Sequence, residues 1–152
     1  MPAAASTLSS IRNYRVEYSI NGTVWVDWSP WVTGVMFSGG DIAIGEHLPF
    51  DALTPTPVPG KGSMQQVVIS IPYTEGVTDP FPIMRIAQFA PDPLIRLRFS
   101  PRGGQTGESI FTLVDAFVVS GCNPPSGASN DATPMMVDVT VAFASFTVTV
   151  AV

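Results

Sequence analysis

The chain has 152 residues, of which 45% are hydrophobic and 12% charged, with a net charge of −5. That length suits one domain with a sizeable core, while the charged share is about half the ~25% of an ordinary soluble domain. The apolar content excludes a disordered chain. Lys61 is the single lysine, so the chain lacks the clustered cations that displace counterions from nucleic acid. A chain with mean hydropathy +0.30 asks for a partner surface, a membrane or copies of itself.

Nearly everything reads as β. Arg15 to Ile20 and Thr23 to Trp28 flank Asn21-Gly22, a strong hairpin signal because both turn residues must accept positive φ. A third strand is expected over Val32 to Phe37. It breaks at Ser38-Gly39-Gly40 and resumes over Asp41 to Ile44. Gly45 to Gly62 carries Pro49, Pro55, Pro57 and Pro59 without sustained periodicity. It is expected to form a long, stiff, proline-rich loop of the kind usually tied to function. Gln66 to Ile71 is a clear strand.

Asp79-Pro80 opens the one expected helix, with Asp79 as cap and Pro80 in the first turn. Ala90-Pro91 ends it. The strands Leu94 to Ser100 and Ser109 to Ser120 follow, joined by a glycine-rich loop from Pro101 to Gly107. The turn-rich segment Gly121 to Pro134 leads into a last strand from Met135. There Val137, Val139, Val141 and Phe143 alternate with smaller or polar residues. The apolar phase then shifts to Phe146, Val148 and Val150. A one-residue shift swaps faces, which predicts a bend near Ala144-Ser145. β-Branched residues and five polar ones make this stretch a strand and not a membrane span. Met1 to Ser10 lacks the basic start and apolar run of a signal peptide. With no internal repeat or linker, residues 1–152 are expected to form a single domain.

Chemistry is scarce. His47 is the only histidine, and no Gly-x-Ser-x-Gly turn presents a serine to it. Cys122 stands alone, which excludes an internal disulfide. No His/Cys/acid spacing suggests a metal, and Gly103 to Gly107 lacks the Lys of a phosphate loop. Arg96 and Arg98 share one strand face, as solvated or subunit-bridging side chains, with Arg102 nearby. Accordingly no catalytic residue, cofactor or metal is expected. Trp25, Trp28 and Trp31 are the best small-molecule signal. Their spacing sends Trp25 and Trp28 to opposite faces, which favours packing over a sugar platform. A carbohydrate-binding or immunoglobulin-like β-sandwich module is the alternative reading.

The edges of such a β chain need cover. Solitary domains protect them with lysine, inward charge or closure, and here the last strand is long, β-branched and nearly free of charge. Pairing with other copies answers this, and head-to-tail contacts close into rings.

The order of elements from about Tyr14 to Thr147 resembles the tail tube proteins of bacteriophages and the inner-tube proteins of contractile injection systems. The resemblance is carried by the N-terminal strand pair and by Gly34-Val35 running through Asp41 to Glu46 into the long loop. It continues through Pro59 to Ser63 before the strand Gln66 to Ile71, the helix Pro80 to Phe89, and Leu113 to Phe117. It closes with Ser129-Asn130-Asp131 before Met135 to Phe146. The resemblance implies a mainly β fold, a β-sandwich or split β-barrel with one short flanking helix. It further implies hexameric rings stacked into a hollow tube, located in a virion tail or injection-system particle. The partners would be the chain itself and other tail or baseplate proteins. DNA or an effector would pass through without tight binding, helped by an acidic or neutral wall. Lumen candidates on that reading are Glu17, Asp41, Asp115 and Asp138. The long loop would contact the neighbouring subunit or ring, with Glu46, His47, Leu48, Phe50, Thr54, Pro55, Pro57, Pro59 and Lys61 as candidates. The tryptophans, the proline density and the low charge depart from the family pattern.

Overall fold

The computed structural model describes residues 13–51, 53–92, 94–126 and 134–152. The expected turn at Ser129-Asn130-Asp131 lies outside them. Among the described residues, eleven strands and one helix run in the order β1 (Arg15–Ser19), β2 (Val26–Asp27), β3 (Gly34–Ser38), β4 (Ile42–His47), β5 (Thr56–Gly62), β6 (Gln65–Pro72), α1 (Pro80–Phe89), β7 (Arg96–Ser100), β8 (Ser109–Val114), β9 (Phe117–Ser120), β10 (Met136–Phe143) and β11 (Ser145–Val150). All named pairings are antiparallel.

Two sheets pack face to face. One has five strands in the order β11-β8-β7-β1-β2, the other four in the order β3-β6-β10-β9. Strict alternation makes the packing possible. On β6, Val67, Ile69 and Ile71 are buried while Gln66, Val68 and Ser70 look outward. On β10, Val137, Val139 and Val141 do the same. Val16, Leu97 and Phe99 meet them from the five-stranded sheet, joined by Trp28 and, from the flanking helix, Phe81 and Met84. The architecture is the expected mainly β sandwich with one flanking helix, and neither sheet closes into a barrel.

The chain changes sheet at two bends. β10 ends at Phe143 in the four-stranded sheet and β11 begins at Ser145 in the five-stranded one, at the expected phase shift. The run Ser109 to Ser120 is not one strand, as its composition suggested. It breaks at Asp115, whose φ is +53°, and β8 and β9 fall in different sheets. The two bends face each other, with the Ala144 amide donating to the Val114 carbonyl at 3.0 Å.

Three further expectations are corrected. The first hairpin pairs Glu17 with Asp27 and Tyr18 with Val26, so its connection is wider than Asn21-Gly22. The Asn21 side chain accepts from the Thr23 and Val24 amides and organises the loop, the local bonding that Asn offers at turns. Asp79 stands at the helix N-cap but makes no capping bond; its carboxylate takes the Gly76 amide instead. Finally, the proline-rich segment is not a long loop. Most of it is a two-stranded sheet of β4 and β5, and only residues 48–55 connect them.

The prolines explain that hairpin. Residues two apart in a strand point their backbone groups to the same edge. Pro57 and Pro59 therefore remove donors from one edge of β5, and Gly45↔Val58 and His47↔Thr56 register the other edge on β4. Proline is tolerated on an edge strand in this way, and Lys61 guards the same strand.

Burial raises two groups in or against the core above their usual range. Burial raises the Tyr14 hydroxyl from 10.0 to about 12. Burial also raises the Cys122 thiol from 9.0 to about 11, with Arg85 pulling it the other way. Both hold their protons more tightly folded than unfolded, so their contribution is whole below about pH 9 and is lost as pH rises toward 12. The urea midpoint of the dilute protein should be flat from neutrality to about pH 9 and then fall. Cys122→Ala should remove the earlier part of the fall. A midpoint unchanged up to about pH 11 would contradict this assignment.

Candidate assembly surfaces

The β4–β5 hairpin forms an arm. It continues the β3–β6 pair beyond a break at Gly39 and Gly40, whose φ values are +81° and +79°. A side chain at Gly39 would strike the Met64 carbonyl, so glycine is required where the arm leaves the sandwich. At its base the Asp41 amide donates to Ser63 Oγ at 3.0 Å and the Ser63 amide to the Asp41 carbonyl at 2.7 Å. Every residue of β4 and β5 is exposed. Ile42, Ile44, Leu48, Phe50, Leu53 and Val58 all present apolar surface to solvent. The loop candidates thus gather on one element. Glu46 and His47 end β4, Leu48, Phe50, Thr54 and Pro55 lie in the connection, and Pro57, Pro59 and Lys61 belong to β5.

The acids chosen as lumen candidates do not gather. Asp138 lies on the outward face of the four-stranded sheet, where Ser70 Oγ donates to its Oδ1 at 2.6 Å. Around it stand Gly34, Met36, Val68, Ser70 and Thr140, as the register dictates, so these strands carry a single carboxylate here among small, polar and apolar neighbours. Asp41 sits at the base of the arm, and Asp115 at the bend between sheets. Glu17 belongs to the opposite outer face, on β1, and it is only 4% exposed. The two outer faces of a sandwich look away from each other, so one wall cannot take both Glu17 and Asp138.

Glu17 is instead the centre of a small electrostatic cluster. Arg98 Nε and Nη2 donate to its two carboxylate oxygens at 3.1 and 2.9 Å, the bidentate geometry that suits guanidinium and carboxylate. Arg15 lies at 3.6 Å. The Trp25 ring covers the Arg98 guanidinium at 4.4 Å, a cation–π contact that shields the pair. Arg96 Nη1 donates to the Ile20 carbonyl at 2.8 Å. Both arginines of this strand face therefore work within the fold. The tryptophans do not form a common platform: Trp28 is fully buried and stacked on Tyr18 at 4.5 Å, Trp31 packs against the core, and Trp25 serves Arg98.

A third surface joins the last strand, expected as an uncovered edge, to β3, which the sequence did not single out. β3 and β11 are the outer strands of their sheets, and neither carries Lys or Pro to protect its edge. Phe37 of β3 meets Phe146 of β11 edge-to-face at 5.5 Å, so the two edges flank one opening of the sandwich. Tyr14, Phe37, Phe99, Pro101, Phe111 and Phe146 line a cavity of about 250 Å³ there. The apolar floor runs on to Val148 and Val150, which are exposed. The signal was available in Phe111, Phe146, Val148 and Val150, but only the register shows that they share a face. β9, by contrast, is partly covered. Leu94 bridges to Phe117, and Gln88 reaches the Val119 carbonyl. Among the described residues no three His, Cys, Asp or Glu side chains come together as a metal site, and no helix is long and apolar enough to cross a membrane.

No protein-family model and no curated protein matches this sequence. Solved structures do match. A chain of the sheath–tube complex of an extracellular contractile injection system, PVC, aligns with a TM-score of 0.66 over 97% of this chain and 95% of its own, at 14% identity. A chain from the tube-terminating cap of the anti-feeding prophage aligns with a TM-score of 0.63 over 99% and 97%, at 16% identity. This chain has a tail-tube-like fold. A chain from the tail of a gene transfer agent particle, refined with C6 symmetry, extends the likeness, with a TM-score of 0.64 over 95% and 100% at 8% identity. The tail-tube-like fold supplies the sandwich and its flanking helix.

The Glu17 cluster gives a test of how the outer face is held. Arg98→Ala leaves a buried carboxylate without its main partner and should destabilise the protein by about 3–5 kcal/mol. Adding Glu17→Gln should recover part of that loss, read from urea unfolding of both variants. A single substitution without effect would show that the pair is not buried in solution.

Proposed function

We propose that this chain is a non-catalytic structural subunit that assembles with copies of itself into rings, hexameric in the simplest case, which stack into a hollow tube. The tube would belong to a virion tail or an injection-system particle and contact further tail or baseplate proteins. The observation that carries the reading is the combination of a tail-tube-like fold with an arm and two sheet edges that have no cover in the single chain. An isolated two-stranded sheet is marginal in water, and apolar patches of this kind on a soluble chain mark interaction sites.

The four-stranded sheet is the proposed inner wall. Its outward face is smooth in chemistry, with Asp138 as its one acid, and it carries no cation to hold a phosphate backbone. DNA or an effector would pass such a wall without sticking. Asp138 is the lumen residue retained here; the positions of Glu17, Asp41 and Asp115 suit structural roles better. The arm, with its proline-stiffened strand, loses little entropy on docking and is the proposed inter-subunit or inter-ring element.

Negative-stain electron microscopy across a concentration series tests this reading. Rings or tubes with a central hole are expected; a monodisperse monomer at every concentration would overturn it. Asp138→Lys should leave the particles intact while slowing passage of DNA. Loss of assembly in that variant would move Asp138 from the wall to a subunit contact.

A further inference from the structure

The arm and the open mouth of the sandwich fit one another in size, chemistry and number. From the arrangement of these two features we infer that the arm of one copy docks in the β3/β11 mouth of a second copy, with Phe50 entering the aromatic cavity. This deepens the assembly reading above and rests on it.

The arm cannot serve its own mouth. Phe37 lines that cavity and lies just before the glycine break, at the arm's base. β4 ends at His47, five residues beyond Ile42 and roughly 17 Å further out at strand rise, and Phe50 lies in the connection that follows it. The strands of the arm are exposed throughout, and Phe50 and Leu53 are fully so. The tip is therefore presented outward with apolar side chains and no intramolecular cover.

The receptor is also specific in kind. A cavity of roughly 150 Å³ lined by Leu, Ile and Phe already admits a benzene ring. The mouth offers about 250 Å³ lined by aromatic rings and Pro101. A phenylalanine ring fits that space, and edge-to-face contacts with Phe111 and Phe146 favour it. Behind the tip, the register puts Ile44 opposite Pro59 and Glu46 opposite Pro57. One face of the arm thus shows Ile42, Ile44, Pro57 and Pro59 with Glu46 at its tip end, and the exposed Val148 and Val150 form an apolar shelf beside the cavity. Each copy carries one arm and one mouth, so the contact is heterologous and propagates from copy to copy.

Photo-crosslinking tests this directly. The full chain carrying Phe50→benzoylphenylalanine is mixed with an equal amount of isotopically heavy chain under conditions in which particles are seen by electron microscopy. Irradiation should give mixed light–heavy dimers with adducts at Phe111 or within residues 145–150. Val148→Glu in the heavy chain should lower the yield of mixed dimers at least tenfold, with the far-ultraviolet circular dichroism unchanged. Adducts concentrated elsewhere, or no crosslinked dimer from visible particles, would overturn the arm–mouth contact and leave assembly standing. A chain that forms no particles would overturn both.

Discussion

The structure depends on one corner. Residues 109–120 and 136–150 form a single antiparallel ribbon, and both of its strands leave one sheet and enter the other at the same level. Crossing to the facing sheet reverses which side of a strand looks at the core. The ribbon solves this with a one-residue slip on each strand. Leu113 gives way to Ala116 and Val118 on one, and Phe143 to Phe146 on the other. The Ala144–Val114 hydrogen bond ties the two slips together. Strands that switch sheets by a bend are a recognised way to build the corner of a sandwich. Here the corner fixes the spacing of both sheets around Val139, Val141, Leu97 and Phe99.

Folding the ribbon over also decides what stays open. It closes the sandwich along β8 to β10 and leaves β3 and β11 as outer strands. The aromatic side chains between them, Phe37, Phe111 and Phe146, are shared between core and surface. The unusual composition follows from this arrangement. On the proposed assembly the arm and the mouth are covered by other copies, and surfaces that leave water in this way need few charges. The Glu17–Arg98 pair beneath Trp25 is one place where the fold itself uses charge.

Much of this was legible in the residues. Alternation located β6, β7 and β10, the Asp-Pro pair located the helix, and the phase shift located the bend at Ala144. The matching bend at Asp115 was hidden, since Val114, Phe117 and Val119 fill the run with β-formers and mask the slip. The arm was mistaken for a loop because proline usually argues against a strand; only pairing reveals that Pro57 and Pro59 share the unpaired edge. Of the candidate surface residues, those of the arm cluster as expected from their adjacency in sequence. The acids scatter, because which of two outer faces a strand residue takes depends on sheet membership, and no local pattern encodes it. The mouth joins β3, β7, β8 and β11, so it could not be read before the topology was known.

In the proposed assembly the arm and the β3 edge are completed only by other copies. Hydrogen–deuterium exchange, compared between dilute chain and assembled particles, tests it most directly. Fast exchange is expected at the outer-edge amides of β3, at β4 and at the connection after it in the dilute chain, with marked protection on assembly and with β6 and β10 protected in both. Equal protection of the arm in both samples would contradict it, because the arm would then be stable without a neighbour.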